Sequence, residues 1–488
     1  MFLLLDALWI ALFGVLILVT VFLLSLYIRG AFRWRPLLHI ERVIAPTDPH
    51  FALTLKSLAG SMETTGRVVD FWGKAPEIQQ ARIAAIESAQ FSIQFETFIM
   101  TPGKRAQDFA AALARKASEG VNVQVMVDSW GTRKLSEKYW QRLRLAGVRV
   151  VFFNPFDWRA PANYAGRTHR KMLIIDGKRV LTGGAGISDL WDGTEKDDDT
   201  QPWMDVEAAL EGEVVFAFAS IFQAHWQGHR LGDRSITGIN MSEIYPALAN
   251  QHQLGKVANP TYKAPTVDKQ IFSDRQTDDD LPTTFKTVNK TADSSKEEAS
   301  SPPVATMIVT PGTKPSYRDS PIETTKQLLI ACARKRIWLA SPYFLPNKDT
   351  RHLLAIAKKA GVDVRILTTG EKSDKKPVYY ASYQVYGSLL RKGIQIFEYQ
   401  PSMIHAKLLI VDDAWVNTGS ANLDYRSFLH NDELDIVTDS EQLIGDIEQV
   451  FERGFANSEQ IGLKQWERRS FWKYRVVGNI VRLVQWQL

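Results

Sequence analysis

Three stretches of sequence recur in the same order in the two halves of this 488-residue chain, and this duplication limits the fold more than any other feature. The matched stretches are 114–128 with 357–369, 143–153 with 389–399, and 168–184 with 404–420. The copies stay about 240 residues apart, and each stretch includes a short strand-like apolar run. Helices that alternate with such strands are typical of α/β layering. We therefore predict an α/β fold with a duplicated domain and a site shared between the two copies.

The third matched stretch contains the side chains that are suited to catalysis. In each copy a histidine and a lysine stand two residues apart, before an apolar run that ends in an aspartate and leads to a glycine-rich turn. Residues i and i+2 of a strand share a face, so each histidine and lysine project together. One such pair is usually a solvated surface feature, but two copies with the same spacing indicate function. The motif residues are His169, Lys171, Asp176, Gly183 and Gly184 in the first copy, and His405, Lys407, Asp412, Gly419, Ser420 and Asn422 in the second.

The doubled pattern resembles the signature of the phospholipase D superfamily, in which His-x-Lys is followed by an aspartate and then by a Gly-(Gly or Ser)-x-Asn turn. The second copy is complete, whereas the first has Gly186 where the family has asparagine. The phrases PWMDVEAALEG, SPYFLPN and GSANLDYRSFLHNDELD are similar to bacterial cardiolipin synthases. The resemblance extends from about residue 71 to residue 460. It implies two phospholipase D-like domains related by a pseudo-twofold axis around one active site.

The residue types suit cleavage of a phosphodiester through a covalent intermediate. A neutral imidazole is a competent nucleophile, and a second histidine that titrates near neutrality can protonate the leaving alkoxide. Lys171 and Lys407 would neutralise the non-bridging oxygens, where charge concentrates in the transition state. The resemblance implies that one histidine becomes phosphohistidine while the other acts as acid and then as base. We assign His169 as the nucleophile and His405 as the acid and base, although the residues alone permit the reverse.

Other polar residues are expected to support this site. An imidazole usually needs an acceptor on its second nitrogen, and aligning PWMDVEAAL with HNDELDIVT puts Asp205 opposite Glu433. We expect each acid to hold the histidine of its own half. Asp176 and Asp412 are assigned to the catalytic motifs, and since an aspartate in a turn more often caps it, we expect them to support the motif. The remaining substrate-binding or supporting residues are Gly183, Gly184, Ser420 and Asn422.

The sequence predicts no metal site and no cofactor. The acidic run at 197–199 has no ligand-like spacing with histidine, and such runs are usually solvated. The single cysteine, Cys332, excludes an internal disulfide framework and a zinc site built from cysteines.

The N-terminus reads as a membrane anchor. Residues 7–28 carry no charge, and about 20 apolar residues cross a bilayer as a helix. Only Asp6 is charged before this run, whereas arginines follow it, so the positive-inside tendency places the body in the cytoplasm. A cleaved signal peptide is the alternative, but the basic leader and the small-residue cleavage site are missing. We predict a single-pass cell-membrane protein with its anchor and basic neck in residues 1–35.

The rest of the chain divides by composition. The first phospholipase D-like domain is predicted over 71–256 and the second over 313–460. Between them, residues 257–312 are too polar to offset the entropy of ordering and are predicted to form a linker or loop. Residues 461–488 are predicted to form a basic amphipathic helix, which would either pack on the second domain or bind a membrane interface.

The charge balance fits phospholipid head groups or nucleic acid, and the resemblance favours a lipid enzyme. Lysine and arginine number 59 against 54 acids, and this small excess suits anionic partners. We predict a phosphatidyltransferase of the cardiolipin synthase type, which joins two phosphatidylglycerols into cardiolipin and glycerol. A membrane-bound phospholipase D hydrolase would use the same residues and differ in admitting water. A superfamily nuclease would want a basic groove with stacking aromatics and no membrane helix, so no nucleic-acid partner is expected. A non-catalytic scaffold does not require two His–Lys pairs, and the sequence leaves the oligomeric state open.

Overall fold

The structure is a computed structural model, and it describes residues 2–31, 44–158, 166–193, 201–230, 302–312 and 320–483. The acidic run at 197–199, most of the predicted linker and the arginines of the basic neck beyond residue 31 lie outside the described residues. Everything below concerns the described residues.

One mixed sheet of 15 strands runs through both halves of the chain. Its strands are β1 (Met62–Trp72), β2 (Ser92–Thr97), β3 (Asn122–Asp128), β4 (Arg149–Phe153), β5 (Met172–Ile175), β6 (Arg179–Gly183), β7 (Glu207–Glu211), β8 (Ala305–Gly312), β9 (Arg336–Ser341), β10 (Asp363–Thr369), β11 (Gln395–Tyr399), β12 (Leu408–Val411), β13 (Trp415–Gly419), β14 (Glu433–Thr438) and β15 (Ser458–Gln460). Many are buried on both faces, which is why MLII in β5 and LLIV in β12 read as continuous apolar runs.

The strand order repeats outward from the middle of the sheet. From β1 the first half continues as β7-β6-β5-β2-β3-β4, and from β8 the second half continues as β14-β13-β12-β9-β10-β11, ending at β15. β1 and β8 pair antiparallel, with Met62 opposite Val309 and Gly66 opposite Ala305. The predicted duplication and its pseudo-twofold relation are therefore confirmed in the topology.

The described residues also form helices, some of which pack on the two faces of this sheet. They are α1 (Phe2–Ala31), α2 (Phe51–Ala59), α3 (Ala75–Ser88), α4 (Lys104–Ser118), α5 (Glu137–Leu145), α6 (Val214–Arg230), α7 (Pro321–Cys332), α8 (Lys348–Lys359), α9 (Lys376–Leu390), α10 (Tyr425–Leu429), α11 (Glu441–Ala456), α12 (Leu463–Glu467) and α13 (Gly478–Leu483). Several begin at a side-chain cap that accepts the N–H three residues further on; Ser320, Asn347, Asp424 and Ser440 do this for α7, α8, α10 and α11.

The two halves share an apolar core. Phe218 of α6 and Ile447 of α11 belong to one buried cluster, together with Val68 of β1 and Met307 of β8. Because burial of apolar surface is the main stabilising contribution to folding, each half contributes to the stability of the other. The halves are one folded unit, and a site between them is held on both sides.

Two predicted boundaries were wrong. The first domain does not start at residue 71, because β1 already begins at Met62. The predicted linker ends too late, because 305–312 form β8 in the middle of the sheet. Met307, Ile308 and Val309 are all buried, so this strand faces protein on both sides and lacks the alternation that marks a half-exposed strand.

The N-terminal apolar run forms the helix α1. Residues 9–24, whose side chains are described, are exposed on this helix. Among the described residues, no helix is both long and apolar enough to span a membrane. The predicted single-pass anchor is therefore not confirmed.

The predicted C-terminal amphipathic helix is broken into short segments. A π-helix over Phe471–Val477 separates α12 from α13, and residues 484–488 lie outside the described part of the chain. The Trp466 indole donates to the Tyr383 carbonyl of α9 at 2.7 Å, and the Tyr474 ring lies 4.4 Å from that of Tyr383. Packing on the second half thus uses Trp466 and Tyr474, while Trp472 is exposed.

Candidate active site

Two backbone bridges between the halves carry the motif histidines. The His169 N–H donates to the Asp432 carbonyl at 2.8 Å, and the His405 N–H donates to the Met204 carbonyl at 2.7 Å. Each bridge joins the motif of one half to the residue just before the acid of the other half. The bridges therefore bring the two motifs, which are far apart in sequence, to one place.

Each histidine is held by the acid of the opposite half. His169 Nδ1 lies 2.8 Å from Glu433 Oε2, and His405 Nδ1 lies 2.8 Å from Asp205 Oδ2. The expectation that each acid serves its own half was wrong. Because each acid directly follows the residue that bridges to the other motif, its side chain reaches the other half's imidazole.

The hydrogen bonds define the tautomer of His169. Its Nδ1 contacts the Glu433 carboxyl group and, at 3.1 Å, the carbonyl oxygen of Ser420. A carbonyl oxygen only accepts, so Nδ1 carries the hydrogen. The lone pair of the neutral ring is therefore on Nε2, the nitrogen available for attack. Asp205 imposes the same arrangement on His405.

The surroundings of both imidazoles favour their neutral form. Burial, reinforced by Lys171 and Lys407, holds the pKa of His169 well below its usual range. Burial and Lys407 lower the pKa of His405 to about 4, against the opposing effect of Asp205. Burial also opposes ionisation of Asp205, yet its contacts with His405 lower the pKa of this acid to about 2. His405 thus faces a fixed negative charge.

Each motif lysine folds back on its own histidine. Lys171 Nζ donates to the His169 carbonyl at 2.6 Å, and Lys407 Nζ lies 2.9 and 3.1 Å from the two ring nitrogens of His405. Burial lowers the pKa of both lysines, that of Lys407 to about 8. Two cationic groups therefore lie beside the imidazoles, where a phosphate would need compensation for its charge.

A single cavity contains both motif histidines. The Phe98 ring packs 5.1 Å from His169, and the Trp191 ring packs 5.1 Å from His405. Asn422 and Lys375 also line the cavity. Apolar rings behind the imidazoles and polar groups around them give a site that is partly desolvated and suited to a charged ligand.

The glycine-rich turns let the acids approach the motifs. A Cβ on Gly184 would lie 2.2 Å from Asp205 Oδ1, so this position has no room for a side chain. A Cβ on Gly183 would likewise lie 2.1 Å from the carbonyl oxygen that precedes Glu207. In the second half, Ser420 stands at the position of Gly184, and its hydroxyl donates to Glu433 Oε2 at 2.6 Å. Gly184 and Ser420 thus lie against the two orienting acids, whereas Gly183 lies against the backbone of residues 206 and 207.

The departure at Gly186 has a steric explanation. A Cβ there would lie 2.2 Å from Ile99 Cγ2 and 3.1 Å from the Trp191 ring. In the second half, Asn422 lines the cavity. The first copy therefore has apolar packing behind His405 at the position where the second copy has the Asn422 amide, so the site is asymmetric.

Asp176 and Asp412 do not line the cavity in the described structure. The Asp176 carboxylate accepts the backbone N–H groups of residues 90, 91 and 92, and the Asp412 carboxylate accepts those of residues 334, 335 and 336. Both residues have positive φ angles, 53° and 55°, in the turns that follow β5 and β12. Their assignment as catalytic residues is corrected: they tie these turns to the starts of β2 and β9.

Two buried ion pairs were missed by the sequence analysis. Arg82 Nε donates to Glu207 Oε1 at 2.6 Å, and Lys326 Nζ lies 2.8 Å from Asp435 Oδ2. Arg82 also donates to the Ala185 carbonyl at 3.0 Å, which ties the glycine turn to β7. The sequence does contain an indication of these pairs: a second acid follows two residues after Asp205 in WMDVEAAL and after Glu433 in NDELDIVT. The Trp191 indole, which donates to Asp205 Oδ2 at 2.9 Å, had no such signal.

The described residues contain no group of three or more histidine, cysteine, aspartate and glutamate side chains placed to hold a metal ion. Cys332 is buried and unpaired with any other cysteine, as the sequence requires.

Comparison with known proteins identifies the family. A family model described as "Cardiolipin synthase, PLD-like domain" matches residues 83–226 and 328–454, one segment in each half. The chain belongs to this family. It is 30% identical over 405 residues to cardiolipin synthase 1 of Bacillus anthracis, a match that covers 82% of this chain and 69% of the relative. It is 29% identical over 458 residues to the cardiolipin synthase of Geobacillus thermodenitrificans, covering 92% and 75% of the two chains.

A solved structure shares the fold of this phospholipase D-like family member. The crystal structure of phosphatidylserine synthase from Haemophilus influenzae superposes with a TM-score of 0.60 at 14% identity, over 90% of this chain and 100% of that one. Each family segment contains one His–Lys motif. The resemblance predicted from the motifs is therefore confirmed.

Proposed function

We propose that this chain is a phosphatidyltransferase that joins two phosphatidylglycerols into cardiolipin and releases glycerol. The observation that carries the proposal is the pair of buried histidines in one cavity, each held at Nδ1 by an acid of the opposite half and accompanied by a lysine. This arrangement supports phosphodiester exchange, and the relatives named as cardiolipin synthases support the choice of lipid substrates.

In the first half-reaction, Nε2 of His169 attacks the phosphorus of the donor lipid. A P–N bond forms, the P–O bond to the glycerol head group breaks, and His405 gives its proton to the departing oxygen. The very low pKa of His169 supports its role as the neutral nucleophile. The ionised Asp205 beside His405 supports the second role, because a carboxylate stabilises imidazolium. The bound phosphodiester anion raises the pKa of His405 by offsetting the lysine charges.

In the second half-reaction, a hydroxyl of the acceptor phosphatidylglycerol gives its proton to His405. The oxygen attacks phosphorus, the new P–O bond forms, and the P–N bond to His169 breaks. Water in place of the lipid hydroxyl would give phosphatidic acid, so the outcome depends on which nucleophile reaches the intermediate.

Contact with a membrane would favour the lipid acceptor. We propose that residues 7–28 of α1 span the cell membrane, with the body on the cytoplasmic side as the flanking charges indicate. The C-terminal segments add a second membrane contact, since Phe471, Trp472 and Ile480 are exposed next to the basic Lys473 and Arg475. The exposure of these aromatic and basic side chains supports interfacial binding.

The test is the fate of labelled phosphatidylglycerol in vesicles that contain the purified enzyme. The expected products are cardiolipin and free glycerol. His169→Ala and His405→Ala should each lower turnover by orders of magnitude, and the double variant should be little worse than either. His352→Ala, which changes an exposed histidine on α8, is the matched control and should keep activity. Phosphatidic acid as the sole product would replace the transferase with a hydrolase.

The role of the N-terminus is tested separately. Deletion of residues 1–35 is expected to raise the ratio of phosphatidic acid to cardiolipin more than it lowers total turnover, because the tether keeps lipid hydroxyls at high local concentration. An unchanged product ratio on vesicles would contradict this role.

A further inference from the structure

A buried histidine outside the cavity forms a cluster that the reaction scheme does not use. His225 lies on α6 with its side chain buried. Its Nδ1 is 2.7 Å from Glu96 Oε1, and its Nε2 is 3.2 Å from Asp432 Oδ2. The imidazole therefore joins the end of β2 to the residue that precedes β14, one element from each half.

Both partners of His225 hold the chain around His169. The Glu96 carboxylate accepts the hydroxyl of Thr168, the residue before His169. The Asp432 carbonyl accepts the N–H of His169 itself, at 2.8 Å. His225 thus joins Glu96, which holds Thr168, to Asp432, whose carbonyl holds the His169 backbone. Movement of either point would alter the distance from His169 to Glu433, the residue after Asp432.

Among the described residues, the two positions around His405 that correspond to Glu96 and Asp432 carry no charged side chain. The bridge to His405 is made by Met204, which has no charged group. The position that corresponds to Glu96 is Ala340, since Glu96 is opposite Met172 and Ala340 is opposite Leu408, three residues after each motif histidine. The cluster is therefore specific to the histidine assigned as the nucleophile.

The electrostatics of the cluster match a cation between two carboxylates. Burial opposes ionisation of Glu96, yet its pairing with His225 lowers the pKa of this acid to about 2. Burial likewise opposes protonation of His225, but Glu96 and Asp432 raise its pKa overall, against the effect of Arg170. Removal of the imidazole would leave the buried Glu96 and Asp432 carboxylates without its positive charge, which is energetically costly.

We propose that His225 is a positioning residue for His169: by joining Glu96 to Asp432 it fixes the backbone that presents His169 Nε2 to the phosphorus. This inference rests on the proposed nucleophilic role of His169. It assigns a function to a side chain that touches neither substrate nor the reacting atoms.

The experiment compares four variants in the full-length enzyme. His225→Leu removes both contacts, and His225→Gln keeps a donor for one of them. Phe222→Leu is the matched control, because Phe222 lies on the same helix, is fully buried, and stacks on Trp226 instead of the His169 loop. A fourth variant, His225→Leu with Asp432→Asn, removes one of the two carboxylates that lose the imidazole in the first variant.

The readout is the rate of glycerol release in a single turnover, together with KM and the thermal midpoint. A misplacement near 1 Å costs about 100-fold in rate, so His225→Leu should slow glycerol release about 100-fold with KM changed less than about three-fold. His225→Gln should lose about ten-fold, and the double variant should recover part of the loss. Phe222→Leu should lower the thermal midpoint with a rate within about three-fold of the wild type.

A His225→Leu enzyme that folds and releases glycerol as fast as Phe222→Leu would overturn the proposal. So would equal losses in the histidine variants and the control, which would mean that His225 only stabilises the fold. Glycerol release precedes the choice between lipid and water, so a failure to find cardiolipin would refute the transferase without affecting this comparison.

Discussion

The crossed pairing of acids and histidines leads to a prediction that separates the two catalytic roles. Asp205→Asn should impair the acid and base His405, and Glu433→Gln should impair the nucleophile His169, because each acid holds the imidazole of the other half. The two variants should therefore fail at different steps. If the acids served their own halves, the two phenotypes would be exchanged.

The size of the effect follows from the burial of the contacts. Asp205 is fully buried, and its 2.8 Å contact to His405 is a hydrogen bond between an ionised acid and an imidazole. Such bonds contribute about 1.5–3 kcal/mol, which corresponds to about 10–150-fold in rate. The amide also lacks the charge that stabilises imidazolium, so the pKa of His405 falls further and less of the acid form is present.

The assay uses two donors that differ in their leaving group. Phosphatidylglycerol needs a proton on its departing glycerol, whereas a p-nitrophenyl phosphatidyl ester releases a stable phenolate without one. Asp205→Asn should be slow with the first donor and close to wild type in its single-turnover burst with the second. Glu433→Gln should be slow with both donors. The control is Asp70→Asn, at an exposed position on β1, which should react with both donors at the wild-type rate. If the p-nitrophenyl donor restored the burst in Glu433→Gln and not in Asp205→Asn, the assignment of each acid to the opposite histidine would be refuted.

Four further outcomes are expected. The rate should fall as pH rises from about 7 to above about 8, because burial lowers the pKa of Lys171 to about 7 and that of Lys407 to about 8, so both ammonium groups are lost in that range; a flat profile there would contradict this. Asp412→Asn should lower the free energy of unfolding by about 1–3 kcal/mol in denaturant titrations while glycerol release per folded molecule is retained. Gly184→Ala should slow the reaction at least about ten-fold by displacing Asp205, whereas Gly445→Ala, which has nothing within 4 Å of the added carbon, should not. Activity should survive EDTA, and loss that magnesium or zinc restores would overturn the metal-free scheme.

Sequence reasoning succeeded where the information is local. The motif histidines and lysines are two residues apart, and the apolar runs and turns that position them follow within about 15 residues. The repetition of this local pattern was enough to predict the duplicated α/β fold and the shared cavity. The same local character explains Asp176 and Asp412, whose place in a turn indicated a capping role that the backbone contacts then showed.

Sequence reasoning failed where both faces of an element are buried or where an element packs across the sheet. The strand β8 lacked alternation because it lies in the middle of the sheet. The C-terminal helix was predicted from its apolar period, but the described residues form separate segments in which Trp466 and Tyr474 contact α9. In both places the deciding contacts come from residues distant in the chain.

The amino-acid sequence by itself determined the family, the duplicated domain and the four motif side chains, because these depend on residue type and short spacing. Only the tertiary structure decided which acid serves which histidine. Glu433 and His169 are separated by 264 positions, and no local pattern distinguishes Glu433 from Asp205 as the partner of His169. The choice was made by the backbone bridges between the halves, which place each acid beside the opposite imidazole because it follows the bridging residue by one position.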